Sequence, residues 1–132
     1  MMKLTEEMKD FVDHNLCFVA TESDEGKLDL GPKMSMRVLD DSHLMYFERT
    51  AGQTYRNLEA NGKICIACAN LAEKKGFRFY GKVVLHRDGK IFDDAIAFAE
   101  EHGTKKPTVV PVIEVTQIQY LDPARAGKNY EG

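Results

Sequence analysis

The chain has 132 residues, 43% of them apolar and 30% charged, with a net charge of −3. This composition suits one folded domain and excludes a disordered or collagenous chain. The acidic balance, with 9% aromatic residues and no Trp, argues against a protein built to neutralise nucleic-acid phosphates. No apolar run reaches the roughly 18 residues of a membrane span, and the acidic start differs from a secretory signal. A cytoplasmic location without membrane association is therefore the expectation.

Thr5 reads as an N-cap, followed by Glu6 and Glu7 at the positive end of a helix dipole. Met8, Phe11 and Val12 recur at helical spacing, and His14-Asn15 ends the helix. Leu16–Thr21 is a continuous apolar run, expected to be a strand buried on both faces. After the SDEGK turn, Leu28–Val38 alternates: Leu28, Leu30, Pro32, Met34, Met36 and Val38 on one side, Asp29, Gly31, Lys33, Ser35 and Arg37 on the other. Pro32 marks an edge or a bulge, because proline cannot donate to a ladder. His43–Glu48 is a third strand. Thr50 can cap a helix that Asn61-Gly62 stops.

Lys63–Asn70 contains Cys65 and Cys68. A C-x-x-C on a turn would suggest redox or metal chemistry, but here it sits in a strand, where positions i and i+3 face opposite sides. The thiols are expected to be inert packing groups. Phe77–Arg87 is a further strand, Ile91–Glu101 a third helix ended by Gly103, and VVPVIEVTQIQYL a long last strand with an apolar edge in need of cover. The tail, 122–132, is polar and expected to extend from the body. In total, about six strands and three helices predict a mainly β (α+β) single domain over 1–132. Its core is a small antiparallel β-barrel flanked by the helices.

The four histidines are scattered, and no metal, P-loop or nucleophile-elbow spacing occurs. Glu48 to Arg56 runs from a strand end into a helix start. Free N–H groups there, with Arg49, Thr50, Gln53, Thr54 and the small Gly52, form chemistry for a phosphate monoester. The same residues also make an ordinary capped helix with solvated charges. A second segment, Gly31-Pro32-Lys33-Met34-Ser35, offers ladder positions freed by proline beside a lysine. An edge strand with a protective lysine reads the same way.

The succession LDLGPKMSMRVLDDSHLMYFE, RTAGQTYRNLEANGKICIA and FRFYGKVVLHRDG resembles the pyridoxamine 5′-phosphate oxidase-like flavin mononucleotide (FMN)-binding split barrels, from about Leu4 to Leu121. The resemblance implies a homodimer with two flavins in its interface. Carried over by position, Pro32, Lys33, Met34 and Ser35 run along the ring. Phe47, Glu48, Arg49 and Thr50 follow the ribityl chain, and Gln53 and Thr54 meet the phosphate. Lys33 is then placed to stabilise negative charge on reduced flavin. Gln53 stands where many relatives carry Lys. The tail lacks the arginine-rich ending of the true oxidases, so pyridoxamine phosphate oxidation is not implied. The expected function is an FMN-dependent oxidoreductase of unread substrate. The alternatives are a flavin carrier or electron-transfer protein and, more remotely, an oligonucleotide-binding barrel. Arg125, Lys128 and Tyr130 of the tail are expected to reach a neighbour's cofactor.

Overall fold

A computed structural model describes residues 2–132. The elements are α1 (Glu6–His14), β1 (Cys17–Glu22), β2 (Leu28–Lys33), β3 (Arg37–Asp40), β4 (His43–Met45), α2 (Gln53–Asn61), β5 (Lys63–Asn70), β6 (Lys75–His86), α3 (Gly89–His102) and β7 (Val110–Tyr120). The seven strands form one sheet in the order β2-β1-β5-β6-β7-β4-β3, and every pairing is antiparallel. The two terminal strands, β2 and β3, are consecutive in sequence. Only Met34, Ser35 and Met36 join them, and so short a link spans at most about 14 Å. The sheet must therefore curl until its ends nearly meet. The result is a barrel with one seam.

This corrects the reading of Leu28–Val38 as one strand. Met36 N–H donates to Lys33 O at 3.2 Å, so the chain turns at 34–36, and β2 and β3 go to opposite edges. The apolar alternation breaks with it. Leu28 and Leu30 are 74% and 71% exposed, whereas Met36 is buried. β1 is likewise not buried on both faces: Cys17, Val19 and Thr21 point inward while Phe18 and Glu22 point out. Double burial occurs instead in β7, where Val110 to Ile113 are all buried. β7 lies between β6 and β4, so it is no edge. The barrel interior lies on one side of it and α3 on the other.

The interior is filled by residues such as Val19, Leu44, Ile66, Phe79 and Ile118, with Met8, Phe11 and Val12 of α1 closing one end. Thr5 caps α1 as read: its Oγ1 accepts from Met8 N–H at 3.1 Å. A smaller cluster of Met45, Phe47, Ala95, Val110 and Val112 lies beneath α3. The β6–β7 register shifts at Tyr80/Gly81. A Cβ on Gly81 would stand 2.5 Å from Ile113 Cγ2 and 2.6 Å from Glu114 O, so this bulge requires glycine. The tail does not extend. Tyr130 N–H donates to Ile118 O and Gly127 N–H to Tyr120 O, both at 2.8 Å, and the Arg125 guanidinium lies 3.8 Å from the Tyr120 ring centroid. Arg125 and Tyr130 are thus engaged on their own chain.

Candidate functional site

At the seam, the end of β2, the 34–36 turn and the segment leading into α2 come together. Lys33 Nζ lies 3.4 Å from Glu48 Oε1. Ser35 is buried, and its Oγ accepts from Phe47 N–H at 3.0 Å, tying the turn to the chain after β4. Pro32 sits opposite Phe18 in the ladder, and Met34 is 88% exposed. The Pro32–Ser35 stretch therefore offers an open backbone edge and an exposed thioether beside a lysine.

The second half of the expected site is arranged differently. Phe47 is turned into the small core, edge-on to Phe98 of α3 at 5.8 Å, and does not face a ligand. Glu48 is 1% exposed. Its Oε2 accepts from Thr50 N–H and Ala51 N–H, both at 3.1 Å, and from Thr50 Oγ1 at 3.3 Å. Ala51 has φ +50°, the left-handed backbone that aims successive N–H groups into a concavity for anions. Thr50 therefore does not cap α2. Gly52 holds that position, without a side-chain bond. Arg49 Nε donates to Lys105 O at 2.8 Å. Gln53 Nε2 donates to Asn57 Oδ1 at 2.7 Å, and Thr54 Oγ1 to Asp29 Oδ2 at 2.7 Å.

Three residues that sequence reasoning missed complete the region. Asp29 places a carboxylate at the first turn of α2. Arg37 lies between the Phe47 and Phe98 rings, 4.3 Å from each centroid. Tyr46 is buried, and its hydroxyl has no hydrogen-bond partner among the described residues. Burial and the adjacent Glu48 charge push its ionisation well above the usual phenol range. Tyr46 and Glu48 are two apart in an extended stretch, which was the available signal for their proximity. Asp29 and Arg37 gave none, because their partners are remote in sequence.

Elsewhere, Cys65 and Cys68 fall on opposite faces of β5 as expected. Cys68 instead lies across from Cys17 of β1, and both are buried. The hydrogen bond to Cys68, with burial, pushes the Cys17 thiol up; burial also raises Cys65. Among the described residues, no group of three or more His, Cys, Asp and Glu side chains could hold a metal. Among the described residues, no helix is long and apolar enough to cross a membrane.

A seven-stranded antiparallel barrel open at one seam, with a loop-to-helix corner beside that seam, defines the split-barrel class. The chain belongs to the pyridoxamine 5′-phosphate oxidase family, whose sequence profile matches residues 4–122. HupZ of Group A Streptococcus is 36% identical, with 94% of this chain and 98% of that one covered and a TM-score of 0.87. A Lactobacillus delbrueckii protein described as resembling a pyridoxamine 5′-phosphate oxidase is 32% identical, covers 88% and 93%, and has a TM-score of 0.76. At 18% identity, the heme storage protein HutZ of Vibrio cholerae shares the fold, covering 89% and 94% with a TM-score of 0.68.

The family implies FMN, and the two halves of the site answer it differently. The open edge at Pro32–Ser35 suits one side of a flat ring. The phosphate does not fit the corner assigned to it. Its inward N–H groups already bind a buried carboxylate, Asp29 faces the helix start, and Arg49 is turned to a carbonyl.

Proposed function

We propose that the protein works as a homodimer that seats a flat, flavin-like ring at the seam, against the free edge of β2, and uses it in electron or hydride transfer. One observation carries this reading. Phe18, Leu28, Leu30 and Met34 are exposed by 42%, 74%, 71% and 88%. Phe18 pairs with Pro32, Ala20 with Leu30, Ala67 with Phe18 and Cys65 with Ala20. Cross-strand partners share a face, so Phe18, Ala20, Leu28, Leu30, Pro32, Cys65 and Ala67 form one outer wall, with Met34 exposed in the turn at its end, while Lys33, opposite the inward Cys17, lies on the other face of β2. Such a wall beside an open strand edge marks an interface. A second copy related by a two-fold axis would cover it and wall in a ring at its margin. FMN is the ligand that family membership suggests, with Pro32, Lys33, Met34 and Ser35 as its ring contacts. Enzyme and electron carrier share this site, and an open space beside the bound ring would favour the enzyme.

The test is flavin fluorescence quenching combined with sedimentation across falling protein concentrations. The expected outcome is one flavin per subunit, held by the dimer, with flavin tightening the dimer. A monomer that keeps its flavin at full affinity overturns the shared site.

A second reading, a tetrapyrrole site, is favoured by a groove of about 500 Å³ between α3 and the β3–β4 and β6–β7 strands. Leu39, Val84, Ile91 and Val112 line it together with His43 and His86. His43 Nδ1 lies 2.7 Å from Asp40 Oδ1, which leaves Nε2 as the ring nitrogen available for a metal, the arrangement usual for ligating histidines. Heme titration monitored by its absorption band, in wild type and His43→Ala, tests it. Equal binding by both excludes His43 as the ligand.

A further inference from the structure

The corner between Glu48 and α2 has the form of an anion seat and already contains an anion. Glu48 is a buried carboxylate with four donors around it: Thr50 N–H, Ala51 N–H and Thr50 Oγ1 on one oxygen, Lys33 Nζ near the other. The backbone is bent into this form at a cost, since Ala51 takes φ +50° without being glycine. Glu48 is fixed from behind as well: its N–H donates to Val109 O at 3.0 Å, and its O accepts from Thr108 N–H at 2.9 Å. One turn further, Asp29 Oδ2 takes the Thr54 hydroxyl at the positive end of α2. The neutral donor Gln53 is committed to Asn57, and the Arg56 guanidinium to Gln53 Oε1.

We infer that Glu48 and Asp29 act as a built-in substitute for a ligand's phosphate, so that the seam takes a flat heterocycle without a terminal phosphate, riboflavin-like rather than FMN-like. A phosphate entering the corner would have to displace Glu48 from three donors, or lie beside two carboxylates with its own negative charges. Lys33 then has its charge matched by Glu48 rather than by the ligand. This inference rests on the reading that the seam seats a ring, and it concerns which member of that ligand class is accepted.

The experiment compares FMN, riboflavin and inorganic phosphate on the full-length protein, in wild type, Glu48→Gln and Asp29→Asn. Asp29 is only half-buried, so its replacement leaves folding intact even if Glu48→Gln does not; thermal melting reports on both. In wild type, riboflavin binds at least as tightly as FMN. Glu48→Gln shifts the preference toward FMN by about tenfold, the scale of one charge-assisted contact. Asp29→Asn shifts it the same way by about threefold. FMN favoured by wild type, with that preference unchanged in both variants, overturns the inference and leaves the ring seat standing. If no protein binds either flavin, the ring seat falls, and the Thr50 and Ala51 amide resonances under added phosphate decide the rest. Silence in wild type with shifts in Glu48→Gln supports an internal anion; any other pattern overturns it.

Discussion

Two outer faces of the same barrel carry similar apolar side chains and meet different fates. On one, Met45, Phe47, Val110 and Val112 lie beneath α3, which covers them with Ala95, Ile91 and Phe92 and also buries Ala99. On the other, Leu28, Leu30 and Phe18 lie bare on β2 and β1. Among the described residues, the chain supplies a cover for the first face and none for the second. Alternation of apolar residues marks a face that must be buried, but it does not say whether the burying group is the same chain. The covered face belongs to the stability of the subunit; the bare one is the face on which the proposed dimer rests.

The largest effect is expected where the cover is removed. Ala99 is 0% exposed, and Ala99→Asp buries a charge without a partner, costing about 3 kcal/mol or more. Chemical denaturation should record that loss, and a melt unchanged from wild type would show that α3 does not cover this face. On the bare face, Leu30→Asp should leave the melt of the subunit nearly unchanged and weaken self-association by about 2 kcal/mol, roughly thirtyfold. Sedimentation velocity distinguishes the two, and a Leu30→Asp protein that stays dimeric at the same concentration places the interface elsewhere.

The thiols sharpen the contrast between inside and outside. Cys65 is on the outer face, whereas Cys68 and Cys17 are buried within. In the dissociated subunit, where the wall it shares with Ala20 is uncovered, Cys65 should react first with a thiol reagent, and mild oxidation should give no Cys65–Cys68 disulfide. Mass mapping checks both. The smallest effect is electrostatic. Partial burial opposes charge on Asp40, but the Ser42 N–H and the His43 ring outweigh it and hold the carboxyl below its usual range. Its contribution is therefore fully present above the unfolded value near 4 and is lost as pH falls through the folded one. The stability difference between wild type and Asp40→Asn should shrink over that acid window. A difference that is constant down to pH 2 would assign the effect to packing.

Much of this architecture was legible along the chain. Thr5, the Asn61-Gly62 stop, Gly103 and the cysteine strand all rest on local rules: a side chain that caps, a residue that tolerates positive φ, a period of two. The misreadings share one cause. Leu28–Val38 alternates without a break, yet the chain turns at 34–36 because its two halves pair with strands far apart in sequence. The tail is polar, yet it folds back because β7 leaves Ile118 and Tyr120 with backbone groups to satisfy. At the corner before α2, the sequence offers Thr50, Gln53 and Thr54 as donors to a ligand, and no local rule reveals that Glu48 and Asp29 have already taken two of them.

Short-range periodicity and the order of segments specify most of the secondary elements, the antiparallel barrel and the family, though not the break that divides Leu28–Val38 into two strands. Tertiary structure alone decided which apolar face stays bare, which strands form the seam and what fills the anion seat. Those outcomes depend on contacts between residues as distant as Asp29 and Thr54, or Phe47 and Phe98. Their energies arise only once the chain has closed on itself.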